Sequence, residues 1–213
     1  MASQWSQRCL DLLSKQIVIN EFVLKPLNLE QDIAMLQSWL NQDYAKFWGM
    51  QGMSLDALAQ AMAPSEHKLS LIGEWQTKPL FMVELYDPSH DEIGLHYQVK
   101  PLDCGMHLIL APIEGKPVHG LSRKVMEAIA QLVLETLAFT RLVVEPDQQN
   151  HKIHRLNCQI GIRYQKAIQL STKAAFLGFC SAQSRQTATQ AAHQLPSKNR
   201  PVTQSLLTLS LCR

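Results

Sequence analysis

The sequence is short of charge of either sign. Only 18% of its 213 residues are charged, with 20 Lys and Arg against 18 Asp and Glu, for a formal net charge of +2. That near balance excludes a general electrostatic attraction to nucleic acid or to an anionic membrane surface. It leaves room for a phosphate-bearing small ligand held by local backbone geometry. Paired cysteines are also missing. Cys9, Cys104, Cys158, Cys180 and Cys212 are scattered, with no CxxC pair and no even-numbered framework. Reduced thiols are expected, and neither a zinc site nor another metal. The first ten residues lack the basic start and continuous apolar run of a signal peptide. No apolar run approaches the roughly 20 residues needed to cross a bilayer, so the expected address is the cytoplasm. There is no internal repeat. What is present is a hydrophobic share of 46%, enough for one domain with a sizeable core.

The residue pattern predicts an α+β chain. Ile17 to Leu24 reads as a strand, being rich in β-branched and aromatic residues. Leu29 to Leu40 has helical spacing behind an Asn28 cap, and Ser54 opens a second helix that Pro64 closes. Leu69 to Trp75 and Leu80 to Tyr86 look like paired strands, and residues 87–91 form a loop. A strand over Gly105 to Leu110 leads through a loop to a long helix, whose stripe runs from Leu121 to Leu137. Arg141 to Val144 is a short strand, Asn150 to Ile160 a helix stopped by Gly161, and Tyr164–Leu170 and Ala174–Cys180 a closing strand pair. One parallel crossover is expected near the middle. Residues 1–16 read as an N-terminal extension and 17–180 as the domain. Residues 181–213 read as a flexible tail poor in core formers, in which only Leu206 to Leu211 is apolar enough to dock.

A strand that feeds a loop and then a helix start is suited to a phosphate-bearing cofactor. The first turn of a helix has unpaired N–H groups, and its dipole favours an anion. Here that turn is Pro117-Val118-His119-Gly120-Leu121-Ser122, where Gly120 permits close backbone approach and Ser122 adds a hydroxyl. By itself such a glycine is more often plain turn geometry.

Asn150, Ile153, Leu156 and Gly161-Ile162 fall at spacings that resemble the last part of the GNAT N-acetyltransferase superfamily. Where many members of that family carry a tyrosine thought to reprotonate the departing thiolate, this sequence has Asn157, and an amide cannot serve as a general acid. Phe47-Trp-Gly-Met50, Gly94-Leu-His-Tyr97, residues 103–112, Lys116 to Ser122, Val143 to Asn150 and Tyr164 to Leu170 resemble, in order, the GNAT acyltransferases of hydroxamate siderophore synthesis. The resemblance runs from about residue 18 to 180. It implies a mixed central sheet flanked by helices and transfer of a succinyl or acetyl group from acyl-CoA to hydroxyputrescine, hydroxycadaverine or hydroxylysine. It also implies functional coupling to a siderophore synthetase and an amine-hydroxylating monooxygenase.

The same resemblance assigns roles. His107 is the residue expected to contact the acceptor's hydroxylamine; read alone, a histidine in an apolar strand is usually a satisfied core residue. Glu145, before Pro146, is the favoured base, with Asp147 a second candidate that could equally cap the following helix. An N-hydroxy amine is weakly basic and largely neutral near neutral pH. The enzyme therefore needs orientation, and a base for the proton of the tetrahedral intermediate. A backbone N–H near Leu108 to Leu110 is the expected oxyanion donor. Trp48, His96 and Tyr97 are candidate acceptor-pocket residues. The pyrophosphate is expected on the amides of Val118, His119, Gly120, Leu121 and Ser122, with Asn150 also at the cofactor. Direct attack on the thioester needs no acyl-enzyme, so Cys104 and Cys158 are not expected to be nucleophiles. Alternatives are acetylation of another small amine such as an aminoglycoside, and a non-catalytic acyl-CoA-binding regulatory module.

Overall fold

The three-dimensional structure, a computed structural model, describes residues 4–9, 12, 14–112 and 115–194, with side chains described to residue 190. Strands β1 (Ile17–Ile19) and β2 (Phe22–Pro26) form a hairpin where the pattern suggests one strand. Asn20, at φ +53°, turns the chain in the left-handed conformation that asparagine tolerates. Helix α2 (Leu29–Leu40) begins at Asn28, whose side chain accepts from the N–H groups of Glu30 and Gln31. A 3₁₀ turn, Asp43–Trp48, and helix α3 (Leu55–Met62), capped by Ser54, follow. Strands β3 (Lys68–Trp75) and β4 (Lys78–Tyr86) are joined through Gln76 and Thr77, both at positive φ. The expected loop at 87–91 contains a 3₁₀ turn over Pro88–His90, and another spans Glu92–His96.

Strand β5 (Asp103–Leu110) leads to helix α4 (Leu121–Gln131), which ends in a π-helical turn, Leu132–Thr136. After β6 (Arg141–Val144) come helix α5 (His151–Gln159) and strands β7 (Arg163–Gln169) and β8 (Ala174–Cys180). The eight strands form one sheet in the order β1-β2-β3-β4-β5-β6-β8-β7. Every pairing is antiparallel except β5–β6. That parallel pair requires the crossover that α4 supplies.

Both faces of the central strands are buried. Phe81, Val83, Cys104 and Met106 pack toward Val125, Met126 and Ile129 of α4, while Met82 and Ile109 pack toward Leu36 and Leu40 of α2 and Leu58 and Met62 of α3. This two-sided burial explains the nearly unbroken apolar runs of β4 and β5.

Both ends of the chain depart from expectation. The N-terminal extension contributes a helix, α1 (Gln4–Cys9), whose Trp5 and Cys9 enter the α4-side core, joined there by Leu12. The segment expected to be a flexible tail forms helix α6 (Ala182–Gln194). Ser181 and Ser184 exchange hydrogen bonds at its start, each side-chain oxygen accepting from the other residue's N–H. Its Gln, Ala and Arg content is polar yet favourable to helix, so low hydrophobicity concealed it. Leu206 to Leu211 lie outside the described residues.

Candidate active site

Strands β5 and β6 pair only at Asp103–Arg141, Cys104–Leu142 and Gly105–Val143. Beyond Gly105 the two strands part, and a cleft of about 2040 Å³ opens between them. That exceeds the 300–1,000 Å³ of a typical small-molecule pocket and suits a long ligand with an acceptor beside it. Ala111 N–H donates to Leu80 C=O of β4. By the alternation of an antiparallel ladder, Leu108 and Leu110 then turn their backbone groups away from β4, toward the opening. Their carbonyls accept from Trp48 Nε1 (3.2 Å) and the Tyr44 hydroxyl (2.7 Å).

His107 lines this cleft between two carboxylates. Glu84 Oε1 is 3.0 Å from its Nδ1, and Glu145 Oε1 is 2.6 Å from its Nε2. Carboxylates only accept, so the arrangement calls for a proton on each ring nitrogen. Burial of the ring disfavours its charged form. The Glu145 charge and hydrogen bond, followed by those of Glu84, outweigh this and lift His107 from 6.5 to about 10. Burial likewise pushes Glu145 upward, but His107, then Lys173 at 3.4 Å and the Tyr86 hydroxyl at 2.8 Å, bring it down to about 2. The pair is therefore an imidazolium and a carboxylate. Burial, with the Glu145 charge, raises Tyr86 well above the usual phenol range, so it remains a neutral donor.

Close packing makes this possible. Tyr86 faces Gly105 across the ladder, and a Cβ on Gly105 would lie 2.2 Å from the Tyr86 ring. The bare glycine lets the phenol lie flat and stack on His107, ring centroids 4.8 Å apart. Trp48 presents a ring edge to His107 at 5.6 Å.

The other sequence candidates divide. Trp48, Leu108, Leu110, Val118, Leu121, Ser122, Asp147 and Asn150 line the cleft with His107 and Glu145. Asp147 lines the cleft, but its Oδ1 accepts from Gln149 N–H, which is the turn role. His119 and Gly120 do not line the cleft, although Gly120 caps α4 at φ +79°. His96 and Tyr97 also lie off it. The Tyr97 hydroxyl donates to Asp103, itself bound by Arg141. That cluster sits at the far end of β5, about 13 Å along the strand from His107. Glu84 and Lys173 escaped the sequence reading. A single acid inside the otherwise apolar Phe81-Met-Val-Glu-Leu-Tyr86 was the available signal for the first; Lys173 had none.

Asn157 does not stand beside a substitute acid. Its Nδ2 donates to the Tyr164 hydroxyl at 2.8 Å, which meets His154 Nδ1 at 2.9 Å, while His154 Nε2 faces Gln148 C=O. A carbonyl accepts, so Nε2 carries the proton and Nδ1 receives the one from Tyr164. Burial lowers the His154 pKa and keeps this trio neutral. The tyrosine hydroxyl is thus committed away from the cleft. Outside the cleft, His67, Asp87 and His90 bring donor atoms within 4.8 Å of one another. Their imidazoles stack face to face at 3.4 Å with planes 7° apart, and in-plane lone pairs of parallel rings do not converge on one ion.

Residues 28–170 match the family model described as an acetyltransferase (GNAT) domain. The chain belongs to the GNAT acetyltransferase family. Its activity class is acyl-CoA-dependent N-acyl transfer. Among curated relatives, this GNAT chain is 26% identical over 162 residues to the N-hydroxyputrescine acetyltransferase of Acinetobacter baumannii, covering 75% of this chain and 77% of that one. It is 27% identical over 127 residues to the Escherichia coli N(6)-hydroxylysine O-acetyltransferase, covering 58% of this chain and 40% of that longer protein. Over 146 residues it is 24% identical to the lysine N-acyltransferase MbtK of Mycobacterium sp. (strain MCS), covering 66% and 59%. In fold, the GNAT domain is similar to aminoglycoside acetyltransferase AAC(6')-Ib in complex with coenzyme A. The TM-score is 0.68 at 20% identity, over 78% of this chain and 98% of that one. A structure from Bacillus halodurans gives a TM-score of 0.74 at 21% identity, over 84% and 95%.

Proposed function

We propose that this GNAT enzyme transfers a succinyl or acetyl group from acyl-CoA to the hydroxylamino nitrogen of an N-hydroxylated diamine or of hydroxylysine. The product is a hydroxamate for siderophore biosynthesis, made in the cytoplasm between an amine-hydroxylating monooxygenase and a siderophore synthetase. The observation that carries the reading is the His107–Glu145 contact of 2.6 Å in the cleft where β5 leaves β6. The N-hydroxyputrescine acetyltransferase and N(6)-hydroxylysine O-acetyltransferase among the relatives support the substrate class.

The acyl-CoA pyrophosphate lies at the start of α4, on amides between Val118 and Ser122, where the helix dipole favours it. Lys116, Lys152 and Arg155 line the same cleft and add positive charge. Pantetheine follows β5, and the amide of Leu108 or Leu110 receives the oxyanion. The neutral hydroxylamine nitrogen attacks the thioester carbonyl carbon. As the C–N bond forms, the nitrogen becomes cationic and its proton strongly acidic. A carboxylate held near 2, as Glu145 is, is a weak base, but it suffices for such a proton. The C–S bond then breaks, and the proton held by the His107–Glu145 pair passes to the CoA thiolate. Protons balance overall, and the pair does the work that Asn157 cannot.

Acetyl-CoA and succinyl-CoA offered with a panel of N-hydroxylated diamines, hydroxylysine and aminoglycosides, with free thiol followed, test this reading. Turnover confined to the hydroxylated amines is expected. Turnover with aminoglycosides alone would overturn the substrate class, and CoA binding without thiol release from any amine would point to a regulatory module.

A further inference from the structure

We propose that Glu84 is a positioning residue for this reaction: it holds the Nδ1–H of His107, so that the imidazole exchanges a proton only at Nε2, with Glu145. The inference rests on the acyl-transfer reading above and deepens it.

Glu84 and His107 are direct cross-strand partners in the β4–β5 register. They stand on one face of the sheet, where their side chains meet at 3.0 Å. Glu84 is buried, in a strand whose residues from Phe81 to Tyr86 are otherwise uncharged. Its second oxygen has no hydrogen bond, and Lys68 Nζ stands 3.6 Å from it. A buried carboxylate with one lone pair set unused is costly unless a cation faces it. Two cations face it, Lys68 at the second oxygen and the protonated His107 at the first. The groups facing the ring are Glu84 and Tyr86 from β4, Glu145 after β6, and Trp48; Lys68 on β3 and Lys173 before β8 stand behind the carboxylates. The result is an alternating row, Lys68, Glu84, His107, Glu145, Lys173. One carboxylate alone would let the imidazole shed either proton. Both carboxylates line the cleft, and their places around the ring separate the tasks: Glu84, on β4, fixes Nδ1, while Glu145, beyond the end of β6, exchanges the proton at Nε2.

The test compares wild type with Glu84→Gln, which keeps the shape and removes the charge, and with Glu84→Asp, which withdraws the carboxylate by one methylene. The imidazole of His107 is titrated by nitrogen-detected NMR, and kcat and the acyl-CoA KM are measured across pH. In Glu84→Gln, His107 is expected to bind its proton at least tenfold more weakly. The alkaline limb of its kcat–pH profile should move toward lower pH by the same factor, at least about one pH unit, so that kcat lost at alkaline pH recovers as pH is lowered, with the acyl-CoA KM unchanged within twofold. Glu84→Asp should show the same changes in smaller degree. A titration midpoint and a kcat–pH profile matching wild type in both variants, with thermal stability alone altered, would overturn the role. Should wild type acylate no amine, the acyl-transfer reading fails, while the titration still decides whether Glu84 governs the His107 proton.

Discussion

His107 illustrates how few residues this chemistry needs and how tightly they are packed. Glu145 accepts from its Nε2 and Tyr86 holds the other Glu145 oxygen. Replacing Glu145 by Gln keeps the volume but leaves no acceptor for the intermediate's proton. A kcat loss of about 10²-fold or more is expected, with little change in acyl-CoA KM; steady-state kinetics check it. Gly105 makes a second prediction. A methyl group there meets the Tyr86 ring at 2.2 Å, so Gly105→Ala must push the phenol off His107 and away from Glu145. Overpacking of this kind costs about 1–3 kcal/mol, and the variant should lose both thermal stability and kcat. His107 and Glu145 were legible through resemblance to a family. Glu84 and Lys173 were not, because what makes them matter is a cross-strand register and a hairpin approach that linear spacing does not encode.

At the scale of elements, most of the order was legible. The apolar periods of α2, β3, β4, β5 and α4 are strong, and Asn28, Ser54 and Asn150 cap their helices as their residue types suggest. The errors have physical causes. The β1–β2 turn uses Asn20 and Glu21 with no glycine or proline to mark it. The expected stripe of helix α5 is divided: Ile160 and, in part, Leu156 pack on the α4-side core, Ile153 and Leu156 also border the cleft, and polar His154 and Asn157 are buried with Tyr164. At the start of α4, Gly120 takes φ +79°, a conformation β-branched residues avoid. Gly120→Val should displace the first amides of the helix. It is expected to raise the acyl-CoA KM several-fold with kcat nearly unchanged, read from initial rates at varied acyl-CoA.

The whole molecule binds these parts through one sheet with a core on each side. Helix α1 belongs to that unit although it precedes the family-matched region, because Trp5 is 3% exposed within the α4-side core. Trp5→Ala should cost roughly 3–5 kcal/mol, lowering the melting temperature by about 2–4 °C per kcal/mol. Turnover below the transition should be retained. Stability should also follow pH through the His107–Glu145 pair. His107 is raised from 6.5 to about 10, so its contribution is complete below 6.5 and is lost as pH climbs toward 10. Glu145 is lowered from 4.5 to about 2, so its contribution is complete above 4.5 and is lost as pH falls toward 2. Denaturant midpoints of wild type and His107→Ala should therefore differ most between pH 4.5 and 6.5, and the gap should narrow by pH 10.

The central claim, acylation of a hydroxylamino nitrogen at His107 and Glu145, is tested most directly by competition. Cadaverine and N-hydroxycadaverine are offered together with acetyl-CoA or succinyl-CoA, and the products are identified by mass and fragmentation. The account predicts acylation on the N–OH nitrogen, giving a hydroxamate, with that product lost in Glu145→Gln. Acylation of a plain primary amine at an equal or greater rate would contradict it.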